Sequence, residues 1–389
     1  MMIKPNINLL KGFLRRSCYI PKLILNDVLK LNKVIYSNKL HLQRAIDWLL
    51  FAQKITKDGG VSSSFSLLGG WGASYPETSG YIIPTLIDYY SITKDKIYLE
   101  TVKKIANWEC SIQLHNGGFQ GDVISKNKRT TIFNTGQVIL GLVRAFKELK
   151  IESYLLSAMK AGDLLVNMQE KDGNWIKYCF NNIPHSYNVR VAWALLELAK
   201  ITKENKYKEA AIKNLNWAHK QKNNNYWFHK NSFIANKPPL LHTIAYSIRG
   251  FLESGLILED NKLKDVALNS SLKLLEYYEK YQFLPARFDS NWQSNDYYSC
   301  LTGDAQISII WLKLYQIYKE KKFLLNAISL NNYLKSNQIL DFRYKDIDGA
   351  IKGSDPIWGL YNIFSFPNWA TKFFCDALIL ENKILSKLT

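Results

Sequence analysis

From Leu241 to Arg249 the chain spaces His242, Tyr246 and Arg249 at i, i+4 and i+7, which puts an imidazole, a phenol and a guanidinium on one helix face. These three types together suit one chemistry: removing and returning a proton beside a carboxylate. His242 and Tyr246 would carry the proton, while Arg249 neutralises the negative charge. Tyr187 and Arg190, one repeat earlier, extend the set. A second chemistry, hydrolysis between paired carboxyls, would draw on Glu77, Asp304 and Asp355. Loop residues Trp71, Tyr75, Trp292, Tyr298, Trp358 and Tyr361 offer flat surfaces on which a sugar ring could stack. Each has a plainer alternative. Glu77 opens a helix, where the dipole favours a carboxylate regardless, and buried Tyr and Arg side chains also tie helices together by hydrogen bonds.

A phrase repeated six times must position these residues. Helix-closing glutamines stand at Gln53, Gln113, Gln169, Gln221, Gln282 and Gln338, separated by 60, 56, 52, 61 and 56 residues. In the clearest copy the glutamine leads through Gly173 and Trp175 into a polar loop and then a second helix. Such a period means a repeat architecture. The helix before each glutamine is apolar on one side and charged on the other, as in Tyr154 to Gln169 and Lys206 to Gln221, and forms an outer wall. The helix after each loop is apolar almost all round, as in Thr243 to Leu256 and Gln306 to Tyr318, and forms an inner wall. Six such pairs close an all-α double-walled ring, an (α/α)6 toroid. It spans residues 40–389 as one domain behind a basic helical extension, residues 1–39. The polar openings of the inner helices, marked by Thr78, Thr135, Asn188, Thr243, Gly303 and Asn368, then fall at one end of the ring. The expected site is a mouth at that end, rimmed by the long loops. Gly70 and Gly72 beside Trp71 would let backbone approach a ligand, and Arg190 on an inner helix calls for an anionic partner.

The net charge of +18 fits an acidic substrate or an anionic membrane surface. Nucleic acid is excluded as the expected partner, because lysines are spread over every outer helix and no nucleic-acid motif is present. Biased base composition accounts for part of the lysine excess equally well. Cys18, Cys110, Cys179, Cys300 and Cys375 show neither metal nor disulfide spacing, and the six His are scattered, so neither metal nor other cofactor is expected. Residues 1–40 carry eight Lys or Arg against one acid, Asp27, and their apolar runs are broken by charge. That is neither a secretory signal nor a membrane span, which points to the cytoplasm. Arg15, Arg16, Lys22, Lys30 and Lys33 among Leu, Ile and Tyr suit peripheral association with an anionic inner-membrane surface. Packing as an extra helix against the ring is the alternative.

Gln169 to Trp175 resembles the repeat motif of squalene and terpenoid cyclases: glutamine, three residues, glycine, one residue, tryptophan. Gln113 to Phe119 fits with Phe for Trp, and Gln221 to Trp227 with Asn225 for Gly. The resemblance covers residues 40 to 385 and concerns the scaffold. The Asp-rich DxDD motif of class II cyclases is missing, Asp346 to Gly349 being the nearest approach. The Asp-x-Cys pair of prenyltransferases is not matched by Asp296 and Cys300, and the Cys-His dipeptide of lanthionine cyclases does not occur. Gly70 to Thr78 and Phe366 to Phe374 resemble segments of toroid proteins encoded with bacterial surface-polysaccharide genes. That resemblance implies a carbohydrate-active protein of polysaccharide biosynthesis with a glycan or glycolipid substrate. Uronate epimerisation or elimination is the leading expectation. Hydrolysis, non-catalytic glycan binding and terpenoid-cyclase-like chemistry follow in that order.

Overall fold

Lysine, rather than glycine, ends most of the inner helices. The computed structural model describes residues 19–29 and 34–388. A short helix α1 (Tyr19–Val28) precedes twelve ring helices among the described residues. The outer ones are α2 (Asn38–Thr56), α4 (Ile97–Ile112), α6 (Glu152–Asn167), α8 (Asn205–His219), α10 (Asn261–Tyr281) and α12 (Lys321–Asn337). The inner ones are α3 (Pro76–Thr93), α5 (Ile132–Leu149), α7 (Val189–Thr202), α9 (Leu241–Leu258), α11 (Leu301–Tyr318) and α13 (Asn368–Leu385). Lys94, Lys150, Lys203 and Lys319 sit in the left-handed region just past α3, α5, α7 and α11, each donating its N–H to the last turn. The chain therefore reverses at once, and a cation is left at the negative end of each helix dipole. Each inner helix packs on the next, and α13 on α3, so the protein is an (α/α)6 toroid.

The repeated glutamine proves to be a clasp. Gln113 Nε2 donates to Gly117 O of its own turn and to Ser157 O on the next outer helix, and Gln169 repeats this with Gly173 O and Ala210 O. Gln338 does so across the ring junction, bonding Gly349 O and His41 O while its Oε1 meets the His41 ring. The turn glycine takes φ 93° at Gly349, and a Cβ there would overlap the carbonyl oxygen of Arg44. In the two copies that lack this glycine the clasp is lost. Gln221 and Gln282 bond back to their own helices instead.

The junction is sealed a second time by a small antiparallel sheet in which Ser64–Ser66 (β1) pairs with Gly70–Trp71 (β2) and Ser365–Pro367 (β5), with Phe65 opposite Phe366. The glycines around Trp71 serve this hairpin: a Cβ on Gly72 would strike the Ser63 hydroxyl, so the close approach they allow is to protein. A second ladder pairs Ser299–Cys300 (β3) with Ser354–Asp355 (β4). Among the described residues Cys110, Cys179, Cys300 and Cys375 are free thiols.

One outer-wall residue opposes the fold. Glu109 on α4 is fully buried, and neither carboxyl oxygen has a hydrogen-bond partner. Burial pushes its carboxyl well above the usual range, so the native state holds it protonated. A raised native pKa gives stability that is complete below the unfolded value and is lost as pH rises through the native one. Glu109→Gln should therefore flatten the fall in melting temperature on the alkaline side, gaining about 1–3 kcal/mol at pH 8 relative to the parent. Thermal melts of the two proteins at pH 5 and 8 test this.

Candidate functional site

All six polar openings do lie at one end of the ring, but that end is roofed over. The long segments 57–75, 113–131, 168–188, 220–240, 282–300 and 338–367 fold back across it, and the openings satisfy their backbone. Ser79, Thr135 and Thr371 accept the N–H groups of Val61, Phe119 and Ile351, and Asn368 donates to Ser62 O and to the Thr78 hydroxyl. At this end the loops leave a peripheral cleft between segments 114–131 and 170–182 rather than the expected central mouth. The ring opens at its other end, among the C-terminal halves of the inner helices.

There a cavity of about 940 Å³ runs inward between all six inner helices. Tyr81, Tyr89, Trp193, Leu140, Val143 and Ile309 give it apolar and aromatic walls. Its cations are Arg190, Arg249, Lys313 and Lys372 in the interior and Lys39, Arg144, Lys147, Lys200 and Lys383 nearer the rim. The anions are Glu253, Asp376, Asp88 and Glu197. Glu253 accepts from Arg249 Nε at 3.0 Å and Lys313 Nζ at 2.9 Å, and although burial works to raise it, those two cations hold its carboxylate at about 2. Asp376 accepts from Thr85 at 2.7 Å and Lys372 at 2.5 Å. Burial brings the Lys372 ammonium down to about 8, against the opposing pull of Asp376. The rim pairs, Arg144 with Asp88 and Lys147 with Glu197, are only partly buried and contribute little to stability.

Arg190 forms the cavity floor. It is 2% exposed, its Nε donates to Gln137 Oε1 at 2.5 Å, and its guanidinium carbon lies 4.9 to 6.0 Å from the ring centres of Tyr246, Trp193, Phe373 and Tyr81. No carboxylate reaches it among the described residues. Nη1 of Arg190 and Nη1 of Arg249 are both buried without a partner. Two guanidinium groups that line one cavity and keep unpartnered nitrogens suit an anion.

Beyond Arg190, in the roofed end, lies most of the remaining set anticipated from sequence. His242 sits 4.3 Å ring to ring from Tyr246, and its Nδ1 meets Gln306 Nε2 at 2.8 Å. Burial, aided by the charge of Arg190, brings its pKa to about 3, so it is a neutral imidazole. Tyr187 stacks on His185 at 4.6 Å. Glu77 accepts from Tyr75 at 2.7 Å, and burial, opposed by that bond and by Arg190, lifts its carboxyl to about 7. None of these lines the cavity. Asp304 is bonded to Ser299, and Asp355 to Tyr333 and Lys352, so these two carboxyls form their own group near the β3–β4 ladder.

The expected stacking platforms are mostly spoken for. Trp292 is buried, its indole bonded to Asn225 O, and Tyr298 is buried with its hydroxyl on Arg287. Trp71 packs among Trp48, Phe51 and Phe65, its indole bonded to Asp346. Tyr361 accepts from Trp369, and Trp358 is half-buried in the core. Sequence reasoning thus reached the cavity at Arg190 and Arg249 and missed Tyr81, Trp193, Glu253, Lys313, Lys372 and Asp376. The available signal was a charged residue near the C-terminal end of every otherwise apolar inner helix.

No protein-family model matches the chain, nor does any curated protein. Among solved structures it is similar to a heparin-specific unsaturated glucuronyl hydrolase, with a TM-score of 0.67, 15% identity, and 90% of this chain and 98% of that one covered. It is also similar to a sugar epimerase from a ruminal bacterium, with a TM-score of 0.70 and 14% identity, covering 88% of this chain and 97% of that one. A D-mannose isomerase matches with a TM-score of 0.69 and 15% identity over 89% of this chain and 97% of that one. These likenesses establish the toroid fold.

Proposed function

We propose that this toroid is a carbohydrate-active enzyme whose cavity binds an acidic glycan and carries out proton chemistry beside a uronate carboxylate. One observation carries the reading: two arginines, each with a buried guanidinium nitrogen lacking any hydrogen-bond partner, line the floor of an aromatic-walled cavity. Support also comes from the solved structures of the same fold, whose names include a glucuronyl hydrolase and an epimerase. The biosynthetic context rests on the resemblance of the Gly70 and Phe366 segments to polysaccharide-gene toroids.

In this reading Arg190 and Arg249 neutralise the carboxylate, which acidifies the neighbouring C5–H. Lys372, brought down to about 8 by burial and with its Nζ 5.2 Å from the Tyr81 ring centre, accepts that proton in its free-amine form. Tyr81, whose phenol burial keeps protonated, is placed to donate one. Returning the proton to the opposite face of C5 gives epimerisation. Expelling the C4 oxygen, with the Tyr81 proton, gives elimination. Paired-carboxyl hydrolysis fits less well, because the buried carboxylate Glu253 is held ionised by two cations, and the cavity carboxyl that burial raises, Asp88, is engaged at the rim by Arg144.

Binding should be strongest with Lys372 charged, below about pH 8, and weaken as pH rises through that value. Turnover needs the amine and should show the opposite limb. Lys372→Met should abolish turnover and remove the binding transition, while oligouronate titrations from pH 6 to 9.5 provide the check. A flat binding profile for the parent chain would count against the assignment.

A further inference from the structure

Helix α1 is apolar on two faces, and only one of them is covered. Tyr19, Leu23 and Asp27, at i, i+4 and i+8, face the ring. Tyr19 meets Tyr344 at 4.4 Å between ring centres, and Asp27 is bound by Lys352 Nζ at 2.6 and 2.8 Å and by Ile357 N at 2.8 Å. The opposite face carries Leu25, Val28 and Leu29, all exposed. Val34, Ile35 and Tyr36 are exposed as well. Beside α1, tied to it by Lys22 and Asp341, segment 341–345 holds Phe342 at 83% exposure, followed by the exposed Arg343 and Lys345. The stretch that Asp27 clasps adds Leu360 and Ile363.

We infer that this face, α1 with the 341–345 segment, docks on an anionic lipid bilayer. Charge selects that partner over another protein surface. Residues 1–40 contain eight basic side chains and a single acid, and that acid, Asp27, is withdrawn into its bond with Lys352. Among the described residues this face presents Leu25, Val28, Leu29 and Phe342 with Arg343 and Lys345, and the carboxylate beside them, Asp341, is shared by Lys22 and Arg343. Exposed leucines and a phenylalanine interleaved with lysine and arginine are the composition that sinks into the headgroup boundary of anionic lipid. Among the described residues no helix is long and apolar enough to cross a membrane, so the contact is peripheral.

The experiment is vesicle flotation of the full chain with phosphatidylcholine alone and with added phosphatidylglycerol, at low and high salt. Binding is expected only with phosphatidylglycerol and should be released by salt. Arg343→Gln with Lys345→Gln should weaken partitioning about fivefold per cation. Phe342→Ser with Leu25→Ser should lower it more than tenfold at an unchanged melting temperature. Equal binding to both vesicle types, no binding to either, or no effect of the apolar substitutions would overturn the inference. So would sedimentation showing a dimer that Phe342→Ser and Leu25→Ser dissociate, since the face would then be covered by a second copy. Cavity titration with oligouronate is read separately, so either result stands without the other.

Discussion

Arg249→Lys will fold like the parent chain and lose roughly 30-fold in affinity for an acidic oligosaccharide, about 2 kcal/mol, while affinity for a neutral one stays within twofold. The parent guanidinium holds Glu253 through Nε and keeps a buried, unpartnered Nη1 in the cavity wall, two donors in one plane. An ammonium is a point donor and cannot hold Glu253 while reaching a ligand in the same fork geometry. Arg190→Lys should show the same selectivity with some loss of stability, because its four ring contacts suit a flat cation. The contrasting control is His242→Ala. Its imidazole bonds to Gln306 outside the cavity, so the variant should melt lower by about 1–3 kcal/mol and bind acidic glycan normally. Calorimetric titration of all three proteins with a uronate trisaccharide and a neutral counterpart decides the matter. If Arg249→Lys and Arg190→Lys bind both sugars as the parent does, the cavity is not the acidic-glycan site.

The largest stability effect should come from a single methyl group. Gly349→Ala is expected to cost about 3–5 kcal/mol, a fall in Tm on the order of 5–10 °C. A φ of 93° is strained for alanine, and the added carbon would press on the Arg44 carbonyl, displacing the turn that Gln338 grips. Gln338 itself is buried with bonds to three groups, so Gln338→Leu should approach the same loss by removing the side-chain partner of the Gly349 carbonyl and of the buried His41 ring. Urea unfolding of each variant measures both. A change below about 0.5 kcal/mol for Gly349→Ala would show that the turn relaxes freely.

The ring was legible because one set of contacts recurs. A glutamine reaching a glycine carbonyl and the next outer helix requires the same residue types at nearly the same interval, and the interval appears in sequence. Where Asn225 replaces the glycine, the departure was visible too, and the clasp there is missing. Which end of the ring opens was not legible. Polar residues at the starts of inner helices look the same whether they face solvent or the backbone of a loop folded over them. The charges that line the cavity sit near helix ends, where Asp88, Arg144, Glu197 and Lys313 read as ordinary solvated positions. Arg190, in the first turn of its inner helix, and Arg249, in the middle of its own, stood out because an arginine on an apolar inner helix has no such explanation. The imidazole of His242 pointed to chemistry by type alone, and its bond to Gln306 spans two repeats.

The clasp at Gln338 also bears on how the chain reaches this state. The last outer helix bonds to the first across 297 positions of sequence, and β1 pairs with β5 over a similar span. The helices in between meet only near neighbours, so most of the wall can assemble locally and quickly, whereas closure must wait for both ends. Stability of a linear stack would grow repeat by repeat, but here the final junction should lock the whole in one cooperative step. With the first and last ring helices already adjacent, linking them and cutting at a short reversal such as 150–151 should give a circular permutant with the same wall and the same cavity. Removing the last hairpin should leave an open arc that does not hold together.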